Sequence, residues 1–152
     1  MHKTTADMAA DTTAGPQRPF ADALARLKDV GLRPTRQRLA LAKLLFDKGD
    51  HHVTAEQLHA SARHAGVKVS LATVYNTLHQ FKDVGILREV VVEPGRSYFD
   101  TNTRPHHHFF HEGDGRLIDI PNESVELSRL PEPPEGAEIS RVDVIIRVGD
   151  RG

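Results

Sequence analysis

From Phe20 to Phe81 the apolar residues of this chain recur every three or four positions, and past Gly85 the spacing collapses to two. A segment patterned as several helices and then as strands has few folds open to it. Phe20, Ala23, Leu24, Leu27 and Val30 predict a helix over 20–30, stopped at Gly31. Thr35, after Pro34, N-caps a second helix over 35–48 with Leu39, Ala42, Leu45 and Phe46 as its stripe and Gly49 at its end. Thr54-Ala55-Glu56-Gln57 has capping-box spacing, so a third helix over 54–65 buries Ala55, Leu58 and Ala62. A fourth over 70–84 turns Leu71, Val74, Leu78 and Phe81 inward and Ala72, Thr73, Asn76 and Gln80 outward. Leu87-Arg88-Glu89-Val90-Val91-Val92, turned by Pro94-Gly95 into Ser97-Tyr98-Phe99, predicts a hairpin over 86–100. Helices closed by a basic-tipped hairpin make a winged helix-turn-helix domain over 18–101.

Arg104-Pro105 lies in a hinge over 102–105, and residues 106–150 form a second unit. Its opening, His106 to Pro121, reads as two short strands around Gly113-Asp114-Gly115, followed by a brief helix over 122–130 and a Pro-rich loop at 131–134. A final strand over 141–148 sets Val142, Val144, Ile146 and Val148 on one side. About 45 residues hold a poor core alone, so this half is expected to be an α/β dimerisation domain that pairs with a second copy. The fold class is α+β and the assembly a homodimer. Residues 1–17 carry no hydrophobic periodicity and read as a disordered tail.

Composition narrows the chemistry. Cysteine is absent, which excludes disulfides, thiolate catalysis and Cys-held zinc or iron–sulfur clusters. No stretch matches a membrane span or a secretory leader, so a cytoplasmic protein with no membrane contact is expected. The net charge of −1 conceals a division at Pro105: residues 18–104 carry 14 Lys+Arg against 9 Asp+Glu, and residues 105–152 carry 5 against 10. A basic half suits phosphates, and an acidic, His-rich half suits cations or a partner.

Double-stranded DNA is the expected partner of the basic half. Ser70, Thr73 and Asn76 are small polar groups able to reach phosphates or base edges, and Tyr75 can lay its ring on a thymine methyl or pack at the helix edge. Arg33, Thr35, Arg36 and Arg38 gather at the start of the second helix, where amides also favour phosphate. Arg96 at the hairpin tip suits a minor groove.

The acidic half holds His106, His107, His108 and His111 within six residues, with Glu112 and Asp114 beside them. On a strand His106 and His108 share a face, a spacing that suits one ion, with Asp100 and Asp119 at the ends of flanking elements and His51-His52 ahead of the third helix. Nitrogen and oxygen donors suit Fe, Mn or Zn, and histidines also hold haem.

HHVTAEQL, VSLATVYNTLHQFKDVGIL, SYFD and the His run followed by GRLIDI together resemble the ferric uptake regulator family, and most closely its iron response regulator branch. The resemblance spans about residues 20–148. It implies a dimeric winged-helix regulator, commonly a repressor, acting on AT-rich inverted repeats in iron-homeostasis genes. By this likeness His52, Asp100, His106, His108 and Asp119 stand where the family's regulatory metal ligands do, the two aspartates replacing the usual longer Glu. His107 and Glu126 match a second family site whose expected third ligand, a histidine, is replaced by Val142; His111 and Glu112 are further candidates for a second metal or haem site. The Cys pairs of many members and the Cys-Pro haem motif of some iron response regulators are missing. Two rivals differ in class: a ligand-independent DNA-binding protein with incidental histidines, and a small metalloenzyme. The latter needs a substrate pocket and a general base, which nothing in the sequence marks, so no enzymatic activity is expected.

Overall fold

A computed structural model describes residues 19–151. The tail expected over 1–17 lies outside the described residues.

Four helices come first: α1 Ala21–Asp29, α2 Arg36–Phe46, α3 Ala55–His64 and α4 Leu71–Asp83, with a short strand β1, His52–Val53, between α2 and α3. Three are capped as their sequences require. Thr35, Thr54 and Ser70 each sit in extended backbone and accept from the backbone N–H three residues on, and Thr54 with Gln57 completes the capping box. After α4 run β2 Arg88–Glu93 and β3 Arg96–Asp100, joined by Pro94 and Gly95. Gly95 has φ +74°, a left-handed value that glycine adopts without a Cβ penalty, and the turn is therefore tight. β1, β3 and β2 form one antiparallel sheet in that order, with His52 opposite Asp100 and Val53 opposite Phe99. β1 is not marked in the sequence: His51 lies in the loop ahead of it, and the edge pairing of His52 and Val53, too short for periodicity to reveal, is set by β3.

The described residues divide into two compact units, 19–90 with 98–102 and 91–97 with 103–151. The core of the first lies among the helices: Leu27, Leu41, Leu45, Val74, Leu78 and Phe81 are fully buried. Two positions differ from the periodic reading. Leu41, not Leu39, leads the buried stripe of α2, and Phe20 is exposed. α2 packs against α1, α3 and α4 together, so its buried arc is broader and rotated from a single stripe, whereas Phe20 stands outside helical backbone at the N-cap of α1.

In the second unit β4 His106–His111 is central, antiparallel to β5 Leu117–Pro121 and parallel to β6 Ile145–Val148. The helix expected over 122–130 is reduced to a single 3₁₀ turn, Asn122–Ser124. A nine-residue helix is marginal without a packed face, and Leu127 and Leu130 are exposed. The expected strand over 141–148 begins only at Ile145, since β4 offers partners from His108 to His111, and Ile146 points outward rather than into the core. No helix among the described residues is long and apolar enough to cross a membrane.

The burial of α2 generates a direct test. Leu41→Ala should cost about 2–5 kcal/mol of stability by urea denaturation, and Leu39→Ala clearly less; the single-stripe reading of the sequence expects the opposite order.

Candidate metal centre and nucleic-acid interface

Strand alternation fixes the histidines. His106 and His108 lie on one face of β4, and β5 sets Asp119 directly opposite His108. Both Nε2 atoms turn towards the same carboxylate oxygen: His106 is 3.6 Å and His108 3.4 Å from Asp119 Oδ1. Ligand atoms of these three side chains lie within 4.8 Å of one another. His106 and His108 are 6% and 1% exposed, while Asp119 stays open to solvent on its outer side.

The tautomer of His106 is set by its other nitrogen. Nδ1 lies 2.7 Å from the carbonyl oxygen of Arg104, which can only accept, so Nδ1 carries the proton. A neutral ring then leaves the Nε2 lone pair facing Asp119, the arrangement of a metal-ligating histidine oriented by a carbonyl behind it. Sequence inspection missed the role of Arg104, because a backbone oxygen leaves no mark in residue type.

In the first unit, His52 and Asp100 pair across β1 and β3. Asp100 is 1% exposed and accepts from the Asn102 backbone N–H at 2.9 Å, and the His52 ring stands edge-on to Tyr98 at 6.1 Å. The further candidates are not gathered into one group among the described residues. His107 Nδ1 accepts from the Val144 backbone N–H at 3.1 Å, which puts the neutral ring's proton on Nε2 and leaves no lone pair there. His111 lies between Asp150, 2.9 Å from Nε2, and Asp114, 3.1 Å from Nδ1. Glu112 faces Arg147, and Glu126 is exposed.

On the outward side of α4, Ala72, Tyr75, Asn76 and Gln80 are exposed. Ser70 and Thr35 are engaged as caps, and Ser70 Oγ also donates to Thr73 Oγ1 at 3.0 Å. Arg33 and Arg36 are exposed. Arg38 instead clamps α2 to α4: Nε and Nη2 donate to Gln80 Oε1 at 3.2 and 3.0 Å, and Nη1 to the Arg33 carbonyl at 2.9 Å. The Tyr75 hydroxyl donates to Glu56 Oε2 at 2.9 Å, and this bond above all raises the phenol's pKa from its ordinary 10.0. Glu56 escaped sequence reading because an acidic residue in a helix's first turn is explained by the helix dipole alone. Arg96 pairs with Glu93 at 3.4 Å and lies 5.2 Å from the Phe110 ring centroid.

A family model described as the ferric uptake regulator family matches residues 29–146. The ferric uptake regulation protein of Yersinia pestis is 39% identical over 101 residues, covering 66% of this chain and 68% of that protein. The peroxide-responsive repressor PerR of Staphylococcus aureus is 33% identical over 112 residues, 73% of this chain and 75% of its own length. Among solved structures, the ferric uptake regulator of Vibrio cholerae superposes with a TM-score of 0.64 at 25% identity, covering 83% of this chain and 98% of that one. That of Pseudomonas aeruginosa with manganese gives 0.65 at 22% identity, covering 86% and 98%, a likeness of fold.

Asp114 carries a pH test. Its carboxylate accepts from the Arg116 backbone N–H at 3.0 Å and from Arg116 Nε at 2.7 Å, and the backbone bond foremost lowers its pKa below the ordinary 3.8. With the folded pKa depressed, the stabilisation of this turn is full above the ordinary carboxylate value and is lost as pH falls through the folded one. NMR titration of the Asp114 carboxyl should show the lowered midpoint, and Arg116→Ala, which keeps the backbone donor, should return it only partway.

Proposed function

Because the chain belongs to the ferric uptake regulator family, whose members are metal-responsive transcriptional regulators and not enzymes, we propose that it is a metal-dependent repressor of iron-homeostasis genes. It binds AT-rich inverted repeats as a cytoplasmic homodimer. One observation carries this reading: His106, His108 and Asp119 converge with the Nε2 of His106 held in the ligating tautomer. Donors of this type suit Fe(II), Mn(II) or Zn(II). Three donors converging on one point, a carboxylate among them, favour a single ion over haem, which proteins hold through one or two side chains. Membership in the iron response regulator branch is supported by the sequence motifs alone.

In this proposal His52 and Asp100, from the first unit, supply the remaining ligands. A bound ion then fixes the hinge around 102–105 and with it the spacing and tilt of the two α4 helices in the dimer, which must match half-sites about one helical turn apart. Arg33 and Arg36 meet phosphates, Asn76 and Tyr75 read bases, and Thr35, Ser70, Thr73, Arg38 and Arg96 support that surface or join it when DNA binds. The ion's effect on DNA affinity is a coupling free energy of about 1–3 kcal/mol, and DNA tightens ion binding by the same amount.

The expected outcome with His106→Ala/His108→Ala is a folded protein whose DNA affinity no longer changes on Mn(II) or Fe(II) addition. Gel-shift titrations with and without metal measure this; a response of undiminished size in the double variant contradicts the proposal.

A further inference from the structure

Tyr75 is mounted on α4 at two points. Its hydroxyl donates to Glu56 Oε2, 2.9 Å away in the first turn of α3, so the neighbouring helix of the helix-turn-helix holds the phenol end. Its ring stacks on His79, with centroids 6.5 Å apart and planes 16° from parallel. His79 in turn stands edge-on to Phe99 at 5.5 Å, and Phe99 is 1% exposed. An exposed tyrosine otherwise swings among rotamers. Here His79, itself braced by the buried Phe99, lies against the ring and a carboxylate on another helix fixes its tip, while 37% of Tyr75 remains open to solvent.

A carboxylate beside a DNA-facing surface is costly, because it repels the phosphates that supply most non-specific affinity. That cost has a return in selectivity. A hydroxyl whose proton is committed to a charged acceptor, a bond roughly twice as strong as a neutral one, is withheld as a donor from phosphates and base-edge acceptors. What Tyr75 then offers outward is ring surface, which suits a thymine methyl, the one apolar feature of the major groove.

We propose that Glu56 is a specificity-determining positioning residue: by holding the Tyr75 hydroxyl it presents the ring to thymine methyls, and by its charge it weakens binding to unmatched DNA. This rests on reading α4 as the DNA-reading helix.

The test uses the full-length Mn(II)-loaded protein and three duplexes. One carries an AT-rich inverted repeat selected from a random pool by the wild-type protein, the second has its thymines replaced by deoxyuridine, and the third is scrambled. Wild-type protein should prefer thymine to deoxyuridine by about threefold to fivefold, the worth of one methyl-sized contact. Glu56→Ala should lose that preference, and Tyr75→Phe in the Glu56→Ala background should add no further loss, since both remove one shared bond. Glu56→Gln, which keeps an acceptor without the charge, should retain the preference and bind the scrambled duplex more tightly. A Glu56→Ala protein that keeps the preference, a Glu56→Gln protein that loses it while remaining folded by circular dichroism, or independent additive losses in the double variant would each overturn the proposal. A wild type that selects a sequence but ignores the methyl refutes the role of Glu56 and spares the DNA reading. Failure of the wild type to select any sequence refutes both.

Discussion

The register that sets Asp119 opposite His108 is the constraint on which the candidate centre depends. Side chains on a strand alternate, so a shift of one residue would send His106 and His108 to the other face and bring His107 to Asp119. Register holds because each face has its own demands. Phe110 and Leu117 are buried on the face that carries His106 and His108, and Ile120 is buried on the opposite one. The apolar residues of β4 and β5 therefore position the ligands as surely as the ligands' own chemistry does. The Arg104 carbonyl adds the last element by deciding which nitrogen of His106 turns its lone pair towards Asp119.

Among the described residues, nothing comparable gathers the other histidines. His107 spends its Nδ1 on the Val144 amide and so ties the crossover segment to β4, and His111 lies between two carboxylates at the far end of the strand. One run of four histidines thus divides into two that turn Nε2 to a shared carboxylate and two whose nitrogens are engaged elsewhere. The difference arises from what stands behind each ring.

The helical half was legible in the sequence because all four helices carried an inward face and three of them a start signal as well: Thr35, Thr54 with Gln57, and Ser70 before Val74, Leu78 and Phe81. The strand pair around Gly113 to Gly115 was legible for the same reason. Where neighbours decide, local pattern failed. Leu41 is buried because α2 has partners on several sides, and β1 exists only because β3 offers an edge. Val142, Val144, Ile146 and Val148 alternate well enough for a full strand, yet the pairing edge of β4 admits only Ile145 to Val148. Of the site, the residue types and the H-x-H spacing could be read directly. The tautomer-setting carbonyl and the Glu56–Tyr75 bond could not, since one is backbone and the other joins side chains on separate helices.

The most direct measurement of the central claim is anomalous diffraction from crystals grown with Mn(II), recorded on either side of the manganese edge. The account predicts one strong peak about 2.0–2.3 Å from the Nε2 atoms of His106 and His108 and from an Asp119 oxygen, the range of divalent-metal bonds to such donors. Manganese bound elsewhere with that cluster empty, or ligated through Nδ1 of His106, would contradict it.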